Sequence, residues 1–89
     1  VIQKSVTIVN KLGLHARAAS KFVKLAGRFE SNILLRKGDR ESNGKSIMGV
    51  MMLAASQGSE LELVVEGGDE EQAMQALEAL IADRFGEGE

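Results

Sequence analysis

His15 is the only histidine in the chain, and it stands in Gly13-Leu14-His15-Ala16-Arg17, where a loop gives way to an amphipathic helix. The first turn of a helix offers unpaired backbone N–H groups and the positive end of the macrodipole, which together receive an anion such as phosphate. That positive end and the Arg17 guanidinium both favour neutral imidazole, the nucleophilic form. If the ring takes a phosphoryl group, the amides of Ala16 and Arg17 can hold its oxygens and the Arg17 side chain can add charge-assisted hydrogen bonds. Phosphoryl transfer asks a protein mainly for positioning and charge neutralisation, so a site this small suffices. On these five residues alone, a plain loop or capping role accounts for His15 equally well.

A second candidate is Ser46, directly before Ile47, Val50, Met51 and Ala54 at helical spacing. Its simplest role is N-capping, and a helix start also tolerates a phosphate on the same hydroxyl. Ile47, Met48, Met51 and Met52 cannot all face inward on one short helix, so some apolar surface suited to several partners should stay exposed. For Met52, filling an irregular core edge is an equal alternative.

Arg17, Lys21, Lys24 and Arg28 recur at helical spacing opposite Ala19, Phe22, Val23 and Ala26. A solvated helix face is the plain account of this stripe. As a docking surface, with Lys21 and Lys24 at its centre, it fits an acidic protein, because complementary charge speeds encounter and sets register. Nucleic acid fits poorly: Phe22, Phe29 and Phe85 are the only aromatic residues, two of them look like core, and no stacking platform remains.

The elements that must position these residues are short. Val1 to Val9 alternates as a half-buried strand, and Asn10 to Gly13 breaks it. A helix runs from Ala16 to about Gly27. Asn32 to Lys37 and Arg40 to Asn43 form a hairpin about a tight turn. A second helix follows Ser46 and should end near Gln57-Gly58. Leu61, Leu63 and Val65 alternate with Glu62, Val64 and Glu66 in a fourth strand. Asp69 with Gln72 resembles a capping box for a third helix running to about Phe85, after which Gly86 to Glu89 reads as a frayed acidic tail. The order βαββαβα predicts an α+β domain of two layers.

The chain has 89 residues, room for one domain with one core, here 1–89. With no cysteine, disulfides and thiolate chemistry are excluded, and one histidine makes a metal site improbable; no cofactor is implied. No apolar run approaches a membrane span and no secretory signal is visible, so the expected location is the cytoplasm. The net charge of -2 hides an asymmetry: residues 1–50 hold ten Lys/Arg against three Asp/Glu, a net of +7, and residues 51–89 hold one against ten, a net of -9. Such a division prompts the question of what each half faces.

Asn10-Lys11-Leu12-Gly13-Leu14-His15-Ala16-Arg17 and Asn43-Gly44-Lys45-Ser46-Ile47-Met48-Gly49-Val50-Met51 closely resemble the two signatures of HPr, the histidine-containing phosphocarrier family of the bacterial phosphoenolpyruvate-dependent phosphotransferase system. The likeness extends over essentially the whole chain. It implies an open-faced β-sandwich, a four-stranded antiparallel sheet with three helices on one side, and a monomeric, stoichiometric carrier rather than an enzyme. Enzyme I would phosphorylate His15 at Nδ1 and enzyme IIA domains would receive the group for sugar uptake, with Arg17 stabilising the phosphate. Ser46 would be the target of an HPr kinase/phosphorylase and a handle for transcriptional regulators, and Ile47, Met48 and Met51 part of the docking patch. The family usually has proline after its arginine; here Ala18 stands there, keeping the helix and adding one donor. A resemblance to NPr, the carrier of the nitrogen-related branch, stays open.

Overall fold

The computed structural model describes residues 1–89. β1 (Ile2–Thr7), α1 (Ala16–Ala26), β2 (Asn32–Lys37), β3 (Arg40–Asn43), α2 (Ile47–Met52), β4 (Glu60–Glu66) and α3 (Glu70–Ala82) follow one another, with a 3-10 turn at Arg84–Gly86. The strands form one antiparallel sheet in the order β1-β4-β2-β3. The first and last strands in sequence therefore lie side by side, Ile2 opposite Val65 and Val6 opposite Leu61.

Alternation decides which side is covered. In β4, Leu61, Leu63 and Val65 are buried, as are Ile33 and Leu35 of the neighbouring β2. These side chains form one core with Ala18, Ala19, Phe22 and Ala26 of α1, Val50 of α2 and Ala73, Met74, Leu77 and Ile81 of α3. On the opposite face Leu34 pairs with the half-buried Val64 beside Arg36 and Glu62. The result is the expected α+β open-faced sandwich: three helices on one side of a four-stranded antiparallel sheet.

Four local expectations are corrected. α2 ends at Met52 rather than near Gly58, because Ala54 turns left-handed (φ 51°). Lys37 and Arg40 of the β2–β3 hairpin close that end, donating to the carbonyls of Leu53, Ala54 and Met52 as cations at a helix C-terminus do. α3 ends at Ala82, and Arg84 and Phe85 take left-handed backbone that turns the chain back over the core. Asp69 makes no capping bond to its own helix; its carboxylate accepts from the amides of Glu30 and Ser31 and from the Ser31 hydroxyl. It thereby clips the start of α3 to the α1–β2 connection. The tail is not frayed: Lys11 N–H donates to the Glu89 carbonyl at 3.0 Å, and Glu87 points into the molecule.

Candidate functional site

The loop before α1 is pinned from several sides. Gly13 has φ +69°, and a Cβ there would lie 2.4 Å from the Ala55 carbonyl oxygen, so only glycine fits. Leu14 N–H donates to that carbonyl at 2.9 Å. Asn10 is fully buried, and its Nδ2 donates to the Gly13 carbonyl at 2.8 Å. This scaffold delivers His15 to the N-cap position of α1 with extended backbone (φ -76°, ψ 178°).

The ring is partly open, its side chain 27% exposed. Nδ1 accepts the Arg17 N–H at 3.3 Å, so one nitrogen faces the helix start while the amides of Ala16 and Ala18 stay without a backbone partner. Nε2 meets the Glu87 carboxylate. That neighbour was missed in the sequence, where only the helix end and Arg17 were counted around the ring. Burial pulls the Glu87 carboxyl upward, but hydrogen bonds from Asn10 and His15 and the charges of His15 and Arg17 together win, leaving it below the usual carboxylate range.

Arg17 is exposed and takes part in none of the chain's ion pairs. It lines a shallow depression of about 280 Å³ with Lys11, Lys21, Glu87 and Glu89. Lys24 is a solvated cation of the stripe. Lys21 is exposed, and its Nζ donates to the Phe85 carbonyl at 2.7 Å. Arg28 lies beyond the end of α1.

Ser46 is the N-cap of α2, its hydroxyl accepting from Gly49 N–H at 3.1 Å. After it, Ile47, Met48, Met51 and Met52 are all exposed, Met48 and Met52 at 69% and 70%, which decides against Met52 as core. Leu12, in the loop before His15, adds an exposed apolar side chain that alternation did not flag. α1 packs on α2, and the His15 loop is bonded to Ala55 just past α2. The histidine loop and the apolar helix are thus joined directly to each other. No group of side chains is arranged to hold a metal ion, and no helix is long and apolar enough to cross a membrane.

The site is thus a half-open imidazole at a helix start, with an arginine that joins no ion pair two residues on and an exposed apolar helix nearby. The family model for the "PTS HPr component phosphorylation site" matches residues 2–83. The phosphocarrier protein HPr of Cupriavidus necator is 56% identical over 89 residues, covering all of both chains. The crystal structure of HPr from Thermoanaerobacter tengcongensis superposes with a TM-score of 0.94 at 47% identity, covering 98% of each chain. This chain belongs to the HPr family of phosphocarriers of the phosphotransferase system. A dimeric HPr structure from the same organism is also similar, with a TM-score of 0.79 at 50% identity over 92% of this chain and 94% of that one.

Proposed function

We propose that this chain accepts a phosphoryl group on Nδ1 of His15 from phosphoenolpyruvate-charged enzyme I and passes it to an enzyme IIA domain. The observation that carries this reading is the placement of Nδ1 against the Arg17 amide at the start of α1. A phosphoryl group on that nitrogen would lie among the helix-start N–H donors, with the unpaired Arg17 guanidinium free to close on it. The chain is consumed and regenerated in each cycle, so it acts as a carrier and not as an enzyme. Ile47, Met48 and Met51, with Lys24, supply the docking face.

Ser46 is the site of a second, regulatory phosphorylation in this reading. Its hydroxyl sits at the base of the exposed Ile47–Met48 surface, so a dianion there would meet any partner docked on α2 and weaken its apolar contact. An HPr kinase/phosphorylase would place it, and transcriptional regulators would read it. The resemblance favours the sugar branch, with the nitrogen-related branch as the alternative.

Incubation with enzyme I and labelled phosphoenolpyruvate should add one acid-labile phosphate that His15→Ala lacks. A chase with a sugar-branch or a nitrogen-branch enzyme IIA identifies the acceptor. An acid-stable phosphate from ATP, without any transfer from His15, would instead leave a purely regulatory module.

A further inference from the structure

Glu87 lies in an acidic C-terminal segment that solvent would be expected to claim, yet its side chain is only 9% exposed. One carboxylate oxygen meets Nε2 of His15 and the other accepts from Asn10 Nδ2 at 3.0 Å. Asn10 is fully buried and holds the Gly13 carbonyl with the same Nδ2, so the carboxylate is bonded both to the ring and to the loop that carries it. The segment is itself built. Phe85 is fully buried in the core, Lys21 holds its carbonyl, and the amides of Gly86 and Glu87 donate to Asp83 and Arg84 at 3.0 Å each.

An ionised carboxylate only accepts hydrogen bonds, so the ring proton belongs on Nε2. Nδ1, which accepts the Arg17 N–H, then carries the lone pair. We propose that Glu87 is a positioning residue for phosphoryl transfer: it holds the ring proton on Nε2 and balances the charge that the ring carries while a phosphoryl group sits on Nδ1. The proposal rests on His15 being the acceptor.

The charge balance is explicit. The Nδ1 lone pair attacks phosphorus, the Nδ1–P bond forms, and the donor's bond to phosphorus breaks with its electron pair leaving on the donor. The Nε2 proton stays, so the ring gains one positive charge, directly against Glu87. When the group moves on, the P–N bond breaks toward the ring and imidazole leaves neutral. A ring that kept its proton is the better leaving group. Lys11, Arg17, Lys21 and Glu89 line the same depression as Glu87 and are unchanged in the variants below.

The test uses the whole chain with ring-¹⁵N histidine, as wild type, Glu87→Gln and Glu87→Ala, phosphorylated with phosphoramidate, a small donor that needs no partner protein. In wild type the Nε2–H signal should persist in the free and phosphorylated forms near neutral pH. In Glu87→Ala the free ring should mix tautomers, and the phosphorylated ring should lose its Nε2–H signal. Its phosphohistidine should then live longer, roughly three- to tenfold, between the worth of an exposed ion pair and that of a charged hydrogen bond. In Glu87→Gln the amide oxygen can still accept from Nε2, so the free tautomer should survive while the longer lifetime remains. Phosphorylated wild type with nitrogen spectra and lifetimes shared by both variants overturns this inference alone. A wild-type chain that takes no phosphoryl group on His15 overturns the carrier reading and this inference with it.

Discussion

The ammonium of Lys21, in the middle of α1, donates to the backbone carbonyl of Phe85 at 2.7 Å. This bond fastens the left-handed turn after α3 to the helix that begins at His15. Replacing Lys21 by Met keeps the stem and removes the donor. We expect a loss of about 1 kcal/mol in chemical denaturation and faster hydrogen exchange at Gly86 and Glu87. Unchanged exchange there would mean that the tail is held without Lys21.

Phe85 itself is fully buried although it follows the last regular helix. Phe85→Ala empties a core position and should cost about 3–5 kcal/mol. Phe29→Ala, at a half-buried ring on the rim of the same core, should cost clearly less. Urea midpoints of the two variants make the comparison.

Gly13 permits the close approach of the His15 loop to Ala55. Gly13→Ala combines a left-handed alanine with a Cβ pressed 2.4 Å from a carbonyl oxygen, a combination costing roughly 1–3 kcal/mol even after relaxation. Because the displaced backbone is that of the loop before His15, the rate of phosphorylation by enzyme I should fall further than that of Gly38→Ala. Gly38 also has positive φ, but open space surrounds it. Equal rates for the two variants would contradict the loop's role.

Asp69 should make stability depend on acid. The Ser31 hydroxyl first, then the Glu30 amide, and the Ser31 amide against an opposing effect of burial, hold its carboxyl below the ordinary value of 3.8. A group whose folded value is depressed contributes stability that is fully present above its unfolded value. That stability is lost as pH falls through the lower folded value. Wild type should therefore lose stability below about pH 4, and Asp69→Asn should be less stable at neutral pH with a shallower acid slope. Identical slopes in thermal melts across this range would contradict the clip.

What is legible in the sequence is what is local. His15 next to Arg17, the basic stripe and the methionines after Ser46 lie within one or two helical turns, where spacing maps directly onto faces. The alternation in β4 likewise predicts its buried side. The Glu87–His15 contact spans 72 positions and depends on a reversal at Arg84 and Phe85. Neither is a residue type that advertises left-handed backbone, so the tail read as frayed. Asp69 carried the spacing of a capping box, but two amides and a hydroxyl from another connection outcompeted its own helix. Phe85 likewise looked like a last helical residue, because burial alone does not reveal which turn delivers a side chain.

Phosphoryl transfer through His15 is tested most directly by a ¹⁵N–³¹P NMR spectrum of the ring-labelled chain after phosphorylation by enzyme I and phosphoenolpyruvate. Phosphorus should couple to Nδ1 of His15, the nitrogen facing the Arg17 amide, with the proton kept on Nε2. Phosphorus coupled to Nε2, or a phosphate on any residue other than His15, would contradict it.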